Sequence, residues 1–329
     1  MLISKDYKIF IAGHTGMVGS SVNRVLIKNG YNNLLCPSRQ ELNLLDFKNV
    51  ENWFRENNPD VVILAAAKVG GIYANNLYTG DFILENLKIQ NNIIENAWKF
   101  KVKRLLFLGS SCIYPKLASQ PLKEEYLLTG ALENTNESYA IAKIAGIKLC
   151  SALRTQYDFD AISLMPTNLY GPRDNYHHMN SHVLPAMIRK FYEAKIGRLE
   201  KVNLWGTGSP KREFLYVDDL AEASIFILEN VSVENKLLYD NNENFSGVIN
   251  VGMGRDISIK ELANLIALIV GYKGKIIWDK SKPDGSPRKL LDISKLNKLG
   301  WEAKTTLKEG IKLTLENFVQ ELKNNTIRI

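Results

Sequence analysis

The chain has 329 residues, of which 45% are hydrophobic and 23% charged, so it is long enough to bury a large core and is not a disordered chain. Its three cysteines form no CxxC pair, which excludes a disulfide scaffold and favours a reducing, cytoplasmic setting. The basic residues behind the net charge of +7 are scattered, which argues against nucleic acid and favours small anionic ligands. Because no apolar run approaches the ~20 residues of a membrane span, no membrane association is expected.

The first half of the chain alternates short β-branched runs with longer helical patterns, which is typical of a parallel sheet covered by helices on both faces. Strands are predicted at residues 7–12, 33–36, 61–65, 104–108 and 161–165. Helices are predicted at residues 18–29, ending at a left-handed Gly30, and at residues 81–100. The predicted fold class is therefore α/β, a doubly wound parallel sheet of the Rossmann type.

The pattern changes at residues 171–175, after which the elements become shorter and mixed. Residues 213–229 and 248–251 indicate a return of the chain to the main sheet, and residues 232–246 are predicted to form a polar loop. The sequence thus predicts a smaller, mixed C-terminal lobe assembled from two separate segments. The predicted division is a sheet domain of residues 1–170 plus about 213–251 and a lobe of residues about 171–212 plus 252–329.

A glycine-rich loop follows the first predicted strand directly and opens the first predicted helix. Its residues are Gly13, His14, Thr15, Gly16, Met17, Val18 and Gly19, with GxxGxxG spacing. Glycines at these positions would let the backbone approach a pyrophosphate placed at the N-terminus of the helix. The loop predicts a dinucleotide site, and a bare turn is the alternative interpretation.

The turn after the second predicted strand bears on the choice of cofactor. An NAD site would place an acidic residue there, on the ribose hydroxyls. This chain has Arg39 instead, which favours NADP(H). A solvated surface arginine is the alternative interpretation, because guanidinium groups are usually exposed.

Tyr139 and Lys143 lie four residues apart in a helical pattern, so both side chains share one face. An ammonium ~4 Å from the phenol would lower the pKa of Tyr139 by roughly 3, toward neutrality. Such a tyrosine could donate a proton to a carbonyl that is being reduced. The spacing also fits a helix with one surface lysine. Ser110 supports the catalytic interpretation, because it ends the fourth strand at the sheet edge where ligands bind.

Together with the glycine loop, these residues resemble the short-chain dehydrogenase/reductase superfamily, in its extended branch that acts on nucleotide sugars. The chain is further similar, nearly end to end, to the members that act on GDP-4-keto-6-deoxy-D-mannose. The segments that carry this similarity are residues 65–72, 109–117, 138–146, 165–172, 180–183 and 282–289. The resemblance implies a bifunctional enzyme that epimerises C3 and C5 of this sugar and reduces C4 with NADPH.

The resemblance assigns five catalytic residues: the reductive triad is Ser110, Tyr139 and Lys143, and the epimerase acid/base pair is Cys112 and His182. A thiol and an imidazole suit this work, since the 4-keto group acidifies the C3 and C5 protons. The alternatives are a buried structural thiol for Cys112 and a core histidine or metal ligand for His182. No metal is expected, because neither an HExxH pattern nor a cysteine pair accompanies the histidine.

The resemblance also assigns binding residues and an oligomeric state. The further cofactor residues are Leu108, Gly109, Ser110, Ser111, Lys143, Pro166, Thr167, Asn168, Leu169 and His182. The substrate residues are Lys190, Trp205, Arg212, Asp284 and Lys289. Of these, Arg212 and Lys289 supply cations for the pyrophosphate, and Trp205 offers a flat apolar face. A homodimer is expected, formed through the helices that carry Asp81 and Tyr139.

Two other functions remain open from the sequence. One is a nucleotide-sugar 4-epimerase or 4,6-dehydratase that keeps NAD tightly bound. Arg39 and Cys112 argue against it, because dehydratases of this branch place Thr-Asp-Glu at positions 110–112. The other is a non-catalytic dinucleotide sensor, a class that commonly loses the tyrosine retained here at position 139.

Overall fold

A computed structural model of the chain describes residues 1–178, 180–240, 242–282 and 284–329, except for the side chains at positions 72 and 73. Pro283, within the segment 282–289 quoted above, lies outside the described residues. The strands are β1 (Ile9–Ala12), β2 (Leu34–Leu35), β3 (Val61–Leu64), β4 (Arg104–Leu108), β5 (Ala161–Pro166), β6 (Asn168–Tyr170), β7 (Lys201–Trp205), β8 (Lys211–Tyr216), β9 (Val248–Val251), β10 (Asp256–Ser258), β11 (Lys275–Asp279) and β12 (Arg288–Lys289). The α-helices are α1 (Met17–Lys28), α2 (Phe47–Asn57), α3 (Ile72–Leu77), α4 (Thr79–Lys99), α5 (Glu137–Tyr157), α6 (Val183–Ile196), α7 (Val217–Asn230), α8 (Ile259–Val270), α9 (Ser294–Lys298) and α10 (Leu307–Lys323).

Six strands form an all-parallel main sheet in the order β2-β1-β3-β4-β5-β9. The chain first extends from β1 to β2, then crosses to the other side of β1 and adds β3, β4, β5 and β9 in turn. The direction of winding therefore reverses between β1 and β3, and ligands of such sheets bind at the carboxyl ends of the strands beside this point. The predicted doubly wound, Rossmann-type α/β fold is confirmed.

The central strands are buried on both faces, which explains why their residues are apolar with few exceptions. Every residue of β1, β3, β4 and β5 is buried. One face packs against a core that includes Val22 of α1 and Leu220 of α7, and the other against Phe54 of α2 and Ile93 of α4. The five predicted strands agree with the observed ones to within two residues, and Gly30 has the predicted left-handed conformation with φ +83°.

A second group of strands lies beyond the carboxyl edge of the main sheet. Strands β10, β8 and β12 form one small sheet that β6 joins by pairing with β8, and β7 pairs with β11. A third hydrophobic core, which includes Tyr170, Phe191, Leu262 and Phe318, fills this part of the molecule. The division of the chain at the predicted domain boundaries stays a prediction.

Two expectations about the second half of the chain are corrected. Residues 213–216 belong to β8 of the small sheet, because β6 follows β5 and pairs with β8. The rest of the predicted segment does return to the main sheet, since α7 packs on one of its faces, and β9 joins the sheet itself. Residues 232–246 are not simply a polar loop, since Leu238 and Phe245 are buried in the core beneath it. Within the described part of the chain, no helix has both the length and the apolar character needed to cross a membrane.

Candidate active site

The glycine loop is shaped by close backbone contacts that exclude larger residues. Gly13 has φ +89°, and a Cβ there would lie 2.8 Å from backbone atoms of Ala66. A Cβ on Gly19 would lie 2.2 Å from the carbonyl oxygen of Gly13. Gly16 is the N-cap of α1, and among the described residues no side chain caps this end of the helix. The first N–H groups of α1 thus face the loop unpartnered by side chains, an arrangement that fits the pyrophosphate of a dinucleotide.

The other residues of the loop differ in their exposure. Thr15 is exposed, whereas His14, Met17 and Val18 are half-buried. Burial and the positive charge of Arg173 lower the pKa of His14. The imidazole is therefore biased toward its neutral form and adds little charge to the loop.

The turn after β2 presents the exposed side chain of Arg39. Glu41, which the sequence analysis did not consider, folds back so that its Oε2 accepts a hydrogen bond of 2.6 Å from the Ser38 N–H. Hydrogen bonds from Ser38 hold the pKa of the Glu41 carboxyl below its usual range. The turn thus combines a solvent-facing guanidinium with a carboxylate that is already engaged, which is compatible with a phosphate on the cofactor ribose.

Lys143 is buried in α5 and does not act on Tyr139 in the predicted way. Its Nζ donates a hydrogen bond of 2.7 Å to the Leu108 carbonyl and lies 5.8 Å from the Tyr139 ring centroid. Burial lowers the pKa of Lys143 to about 8. For Tyr139, burial and the nearby Cys112 raise the pKa, against a hydrogen bond to Ser110 that lowers it. The predicted lowering of the Tyr139 pKa is therefore wrong, because helical spacing places the residues on one face without bringing the ammonium to the phenol.

Because its pKa is raised, Tyr139 is a neutral phenol at physiological pH. An alkoxide that forms from a ketone during reduction is a far stronger base than a phenolate. A protonated tyrosine beside that oxygen can therefore act as general acid without a lowered pKa.

The segment after β4 carries the chain into the cleft. A Cβ at Gly109 would lie 2.4 Å from Sδ of Met165, so a larger residue there would have to displace that side chain. Ser110 follows in an extended conformation, and its Oγ accepts a hydrogen bond of 3.4 Å from the Cys112 N–H. Ser111 and Cys112 are both buried. Burial raises the pKa of the Cys112 thiol, while the charges of Lys289 and Lys143 and a hydrogen bond to Ser110 oppose the rise.

His182 occupies the N-cap position of α6. Desolvation, followed by the positive charge of Lys289, lowers the pKa of His182, although the residue is exposed at the cleft mouth. Lys289 thus acts electrostatically on both members of the predicted acid/base pair. The preceding loop is anchored by a 3.0 Å hydrogen bond from the Gly71 N–H to the Asn180 carbonyl.

Two predicted substrate cations lie side by side in the small sheet. Lys289 of β12 pairs in register with Arg212 of β8, and both side chains are half-buried. Burial lowers the pKa of both groups. Such partly desolvated cations suit a pyrophosphate, which would replace the water they have lost.

The other predicted substrate residues, Asp284, Trp205 and Lys190, differ in how accessible they are to a ligand. Both carboxylate oxygens of Asp284 accept hydrogen bonds from Thr207, at 2.9 and 2.6 Å, so this residue mainly holds the loop after β7. Trp205 is 54% exposed and Lys190 is half-buried, with its Nζ 3.4 Å from the Asn203 carbonyl. An exposed indole at this position remains available for stacking.

Two of the four predicted cofactor residues at the end of β5 and in β6 donate hydrogen bonds to the same carbonyl group. Asn168 Nδ2 and Thr167 Oγ1 donate hydrogen bonds of 2.8 and 3.3 Å to the main-chain carbonyl of Glu213. Pro166 is buried and Leu169 half-buried beside them. The sequence analysis missed Glu213, although an acidic residue next to a buried Phe214 in a strand is an unusual pattern that could have drawn attention to it.

No group of three or more histidine, cysteine, aspartate or glutamate residues is arranged to hold a metal ion among the described residues. The cleft offers a thiol, a phenol, a hydroxyl and an imidazole together with ammonium groups that are buried or half-buried. This set can exchange protons with a bound molecule and can stabilise negative charge on it.

Residues 9–252 match the protein family described as the NAD dependent epimerase/dehydratase family. The chain belongs to this family. It is 53% identical over 322 residues to GDP-L-fucose synthase 1 of Arabidopsis thaliana, which covers 97% of this chain and 95% of that protein. It is also 53% identical over 313 residues to GDP-L-fucose synthase of Escherichia coli (strain K12), which covers 95% and 97% of the two chains.

A solved structure with the same fold contains a bound cofactor. MlghC, a GDP-mannoheptose C4 reductase from Campylobacter jejuni with NADP bound, matches with a TM-score of 0.87 and 40% identity over 96% of this chain and 99% of that chain. These matches confirm the resemblance drawn from the sequence. They also confirm the expectation of a nicotinamide dinucleotide cofactor.

Proposed function

We propose that this protein converts GDP-4-keto-6-deoxy-D-mannose into GDP-L-fucose, by epimerising C3 and C5 and reducing the C4 ketone with NADPH. The observation that carries the proposal is that the charge of Lys289 affects the pKa values of both Cys112 and His182, and that Cys112 in turn affects the pKa of Tyr139, which is hydrogen-bonded to Ser110. One bound sugar ring can meet both groups at once. Epimerisation and reduction then act on neighbouring carbons of the same substrate.

Epimerisation requires a proton to leave C3 or C5 on one face and another to arrive on the opposite face. The raised pKa of Cys112 and the lowered pKa of His182 favour a pair that shares one proton at neutral pH. Such a pair has one member ready to donate and one ready to accept. Lys289 lies close enough to both to stabilise the negative charge on the sugar oxygen while the carbon is deprotonated.

Reduction uses the other side of the same cleft. NADPH bound at the glycine loop supplies the hydride for C4. Tyr139 donates its phenolic proton to the C4 oxygen, and the hydroxyl of Ser110 holds that oxygen in place. Lys143, whose Nζ lies 5.8 Å from the centroid of the Tyr139 ring, provides positive charge on the same side of the helix as the phenolate that remains.

Two further features belong to the proposal. Arg39 binds the 2′-phosphate that distinguishes NADP(H) from NAD(H), because its guanidinium is exposed at the turn after β2. The enzyme works as a homodimer that buries α4 and α5, where Leu84 and Ile141 are now 54% and 42% exposed. Apolar side chains on adjacent helices are suited to a contact between two copies.

A simple C4 reductase is the second candidate, supported by the match to the GDP-mannoheptose C4 reductase. The chemistry at C4 would be the same, but protons at C3 and C5 would not exchange. Incubation with GDP-4-keto-6-deoxy-D-mannose and NADPH in deuterated water separates the two, when the product is examined by NMR. The proposed enzyme gives the L-configured sugar with deuterium at C3 and C5, whereas a simple reductase gives a D-configured sugar without it.

Replacing the Cys112 thiol tests whether this residue is needed for the exchange at C3 and C5. Cys112→Ser keeps the volume but removes a group that titrates within reach of neutral pH, so exchange should fail while slow reduction continues. Cys150→Ser, at a buried thiol of α5 in the hydrophobic core, serves as the matched control. If Cys112→Ser still forms GDP-L-fucose at the wild-type rate, the epimerase assignment is wrong.

A further inference from the structure

Glu213 is a fully buried carboxylate in β8, with 0% of its surface exposed. Its Oε1 accepts hydrogen bonds of 2.6 Å from each of the Met253 and Gly254 N–H groups. Its Oε2 accepts one of 2.9 Å from the Leu291 N–H. Burial raises the pKa of this carboxyl, while the hydrogen bonds oppose the rise. Backbone donors thus provide the compensation that a buried carboxylate needs.

The main-chain carbonyl of Glu213 contacts residues that are predicted to bind the cofactor. It accepts the hydrogen bonds from Asn168 and Thr167 described above. One residue therefore joins β8 to three other parts of the chain: the end of β5 with β6, the turn after β9, and the segment after β12. These parts come together only in the folded protein, because they are separated by about 40 residues or more along the chain.

Two of the groups that the proposed function uses lie next to these contacts. Arg212 directly precedes Glu213, and Lys289 stands two residues before Leu291. Strand β12 contains only two residues, so its register with β8 rests on few hydrogen bonds of its own. The bond from the Leu291 N–H to the Glu213 carboxylate fixes the chain directly after it. The carboxylate thus helps to set the distance between the two cations, together with the hydrogen bonds that join residues 290–292 to Gln120 and Leu122.

The turn after β9 is built for the same contact. A Cβ at Gly252 would lie 2.3 Å from Oε1 of Glu213, so only glycine allows the turn to approach the carboxylate closely. The next two N–H groups then point at that oxygen. A side chain at position 252 would push the carboxylate away while leaving its charge intact.

We infer that Glu213 is a positioning residue that sets the place of Lys289 relative to Arg212 and so determines the binding of the GDP pyrophosphate. The inference rests on the proposed function, since it assigns the GDP moiety to these cations. An amide cannot replace the carboxylate. Its NH2 group would face backbone N–H donors on one side and leave at least one of them without an acceptor.

The test compares Glu213→Gln with Asp219→Asn in the full-length chain. Asp219 is a matched control because it is also buried and accepts backbone N–H groups, at 3.4 and 3.0 Å, from Lys304 and Thr305 rather than from the small sheet. We expect Glu213→Gln to raise the dissociation constant of GDP, measured by calorimetry, by at least about 10-fold. The KM of the GDP-sugar should rise by a similar factor. Asp219→Asn should leave both within about twofold.

Two further measurements make the test independent of overall stability. Hydrogen exchange of the Met253, Gly254 and Leu291 amides should be faster in Glu213→Gln than in the wild type, and unchanged in Asp219→Asn. Gly252→Ala, which retains the carboxylate but displaces it, should weaken GDP binding in the same way and serves if Glu213→Gln does not fold. Thermal unfolding of all variants shows whether any weakening simply follows a loss of fold.

The outcomes separate this inference from the proposed function. GDP binding by Glu213→Gln at wild-type strength, or a loss equal to that of Asp219→Asn at equal loss of Tm, overturns the positioning role. A wild-type chain that binds GDP but does not convert GDP-4-keto-6-deoxy-D-mannose overturns the proposed function instead. In that case the GDP affinities of the variants still decide the role of Glu213.

Discussion

Asp174 gives the most direct test of the electrostatics, because its carboxyl is buried without full compensation. It lies between β6 and α6 and is 3% exposed. One oxygen accepts a hydrogen bond of 2.7 Å from the Asn175 N–H, and the other has no partner among the described residues. Burial, reinforced by Glu321, raises the pKa of Asp174 to about 7, against the opposing effects of the Asn175 N–H and Arg328.

The raised pKa translates into a pH-dependent stability. The folded chain holds this proton up to a pH of about 7, whereas an unfolded aspartate releases it near ~3.9. The favourable contribution is thus fully present below pH ~4 and is lost as the pH rises through about 7. A difference of about 3 in pKa corresponds to a cost of up to ~4 kcal/mol at pH 8 relative to pH 4. Asp174→Asn removes the titration and should remove this pH-dependent cost.

The assay is thermal unfolding of the wild type and Asp174→Asn between pH 4 and pH 8. The difference in Tm between the variant and the wild type should increase by up to roughly 6 °C from pH 4 to pH 8. This value follows from an entropy of unfolding of ~2.1 cal/mol/K per residue for a cooperative chain of 329 residues. Any part of the Tm difference that is already present at pH 4 reports new contacts of the amide, and only its growth with pH reports the titration. Asp158→Asn, at a side chain that is 94% exposed, is the control. A Tm difference that does not change with pH would show that Asp174 titrates normally in the folded chain.

Three further predictions concern the cofactor and the chemistry. Arg39→Ala should weaken NADPH binding by about 10- to 100-fold and leave NADH nearly unchanged, and equal losses in a fluorescence titration would remove Arg39 from the phosphate site. Tyr139→Phe should slow NADPH oxidation by about 10² to 10⁴-fold while deuterium exchange persists; near-normal oxidation would contradict its role as general acid. The pH profile of C3 and C5 exchange should be bell-shaped, with an acid limb below the ordinary ~6.5 of His182 and an alkaline limb above the ordinary ~8.5 of Cys112, because burial moves the two pKa values apart. Midpoints between those values would contradict the assignment.

The main sheet could be predicted from the sequence because its signals are local. Strands β1, β3, β4 and β5 are short, mostly apolar runs, and the glycine loop follows β1 directly. A strand that is buried on both faces is recognisable by this composition alone. The predicted site residues that follow these strands, such as Ser110 and Cys112 after β4, could be placed at the sheet edge for the same reason.

The small sheet and the electrostatics could not be predicted in this way. Strand β12 has two residues and no apolar pattern, and β8 joins it through contacts between distant segments. The spacing of Tyr139 and Lys143 gave the correct helix face, but not the Leu108 carbonyl that binds the ammonium. Burial acts on each pKa through all surrounding atoms, whereas the sequence shows only neighbours along the chain.

The positively charged side chains of the cleft are desolvated, and this desolvation affects how they bind an anionic ligand. Burial lowers the pKa of Lys143, Arg212 and Lys289, so desolvation disfavours charges that these side chains would carry readily in water. An anionic group opposes that effect, because a diphosphate or a developing enolate stabilises each cation in the same desolvated space. The desolvated cations therefore favour a negatively charged substrate and its charged transition states. The junction at Glu213 fits this scheme, since a carboxylate satisfied by backbone N–H groups holds two of these cations in place without pairing with either.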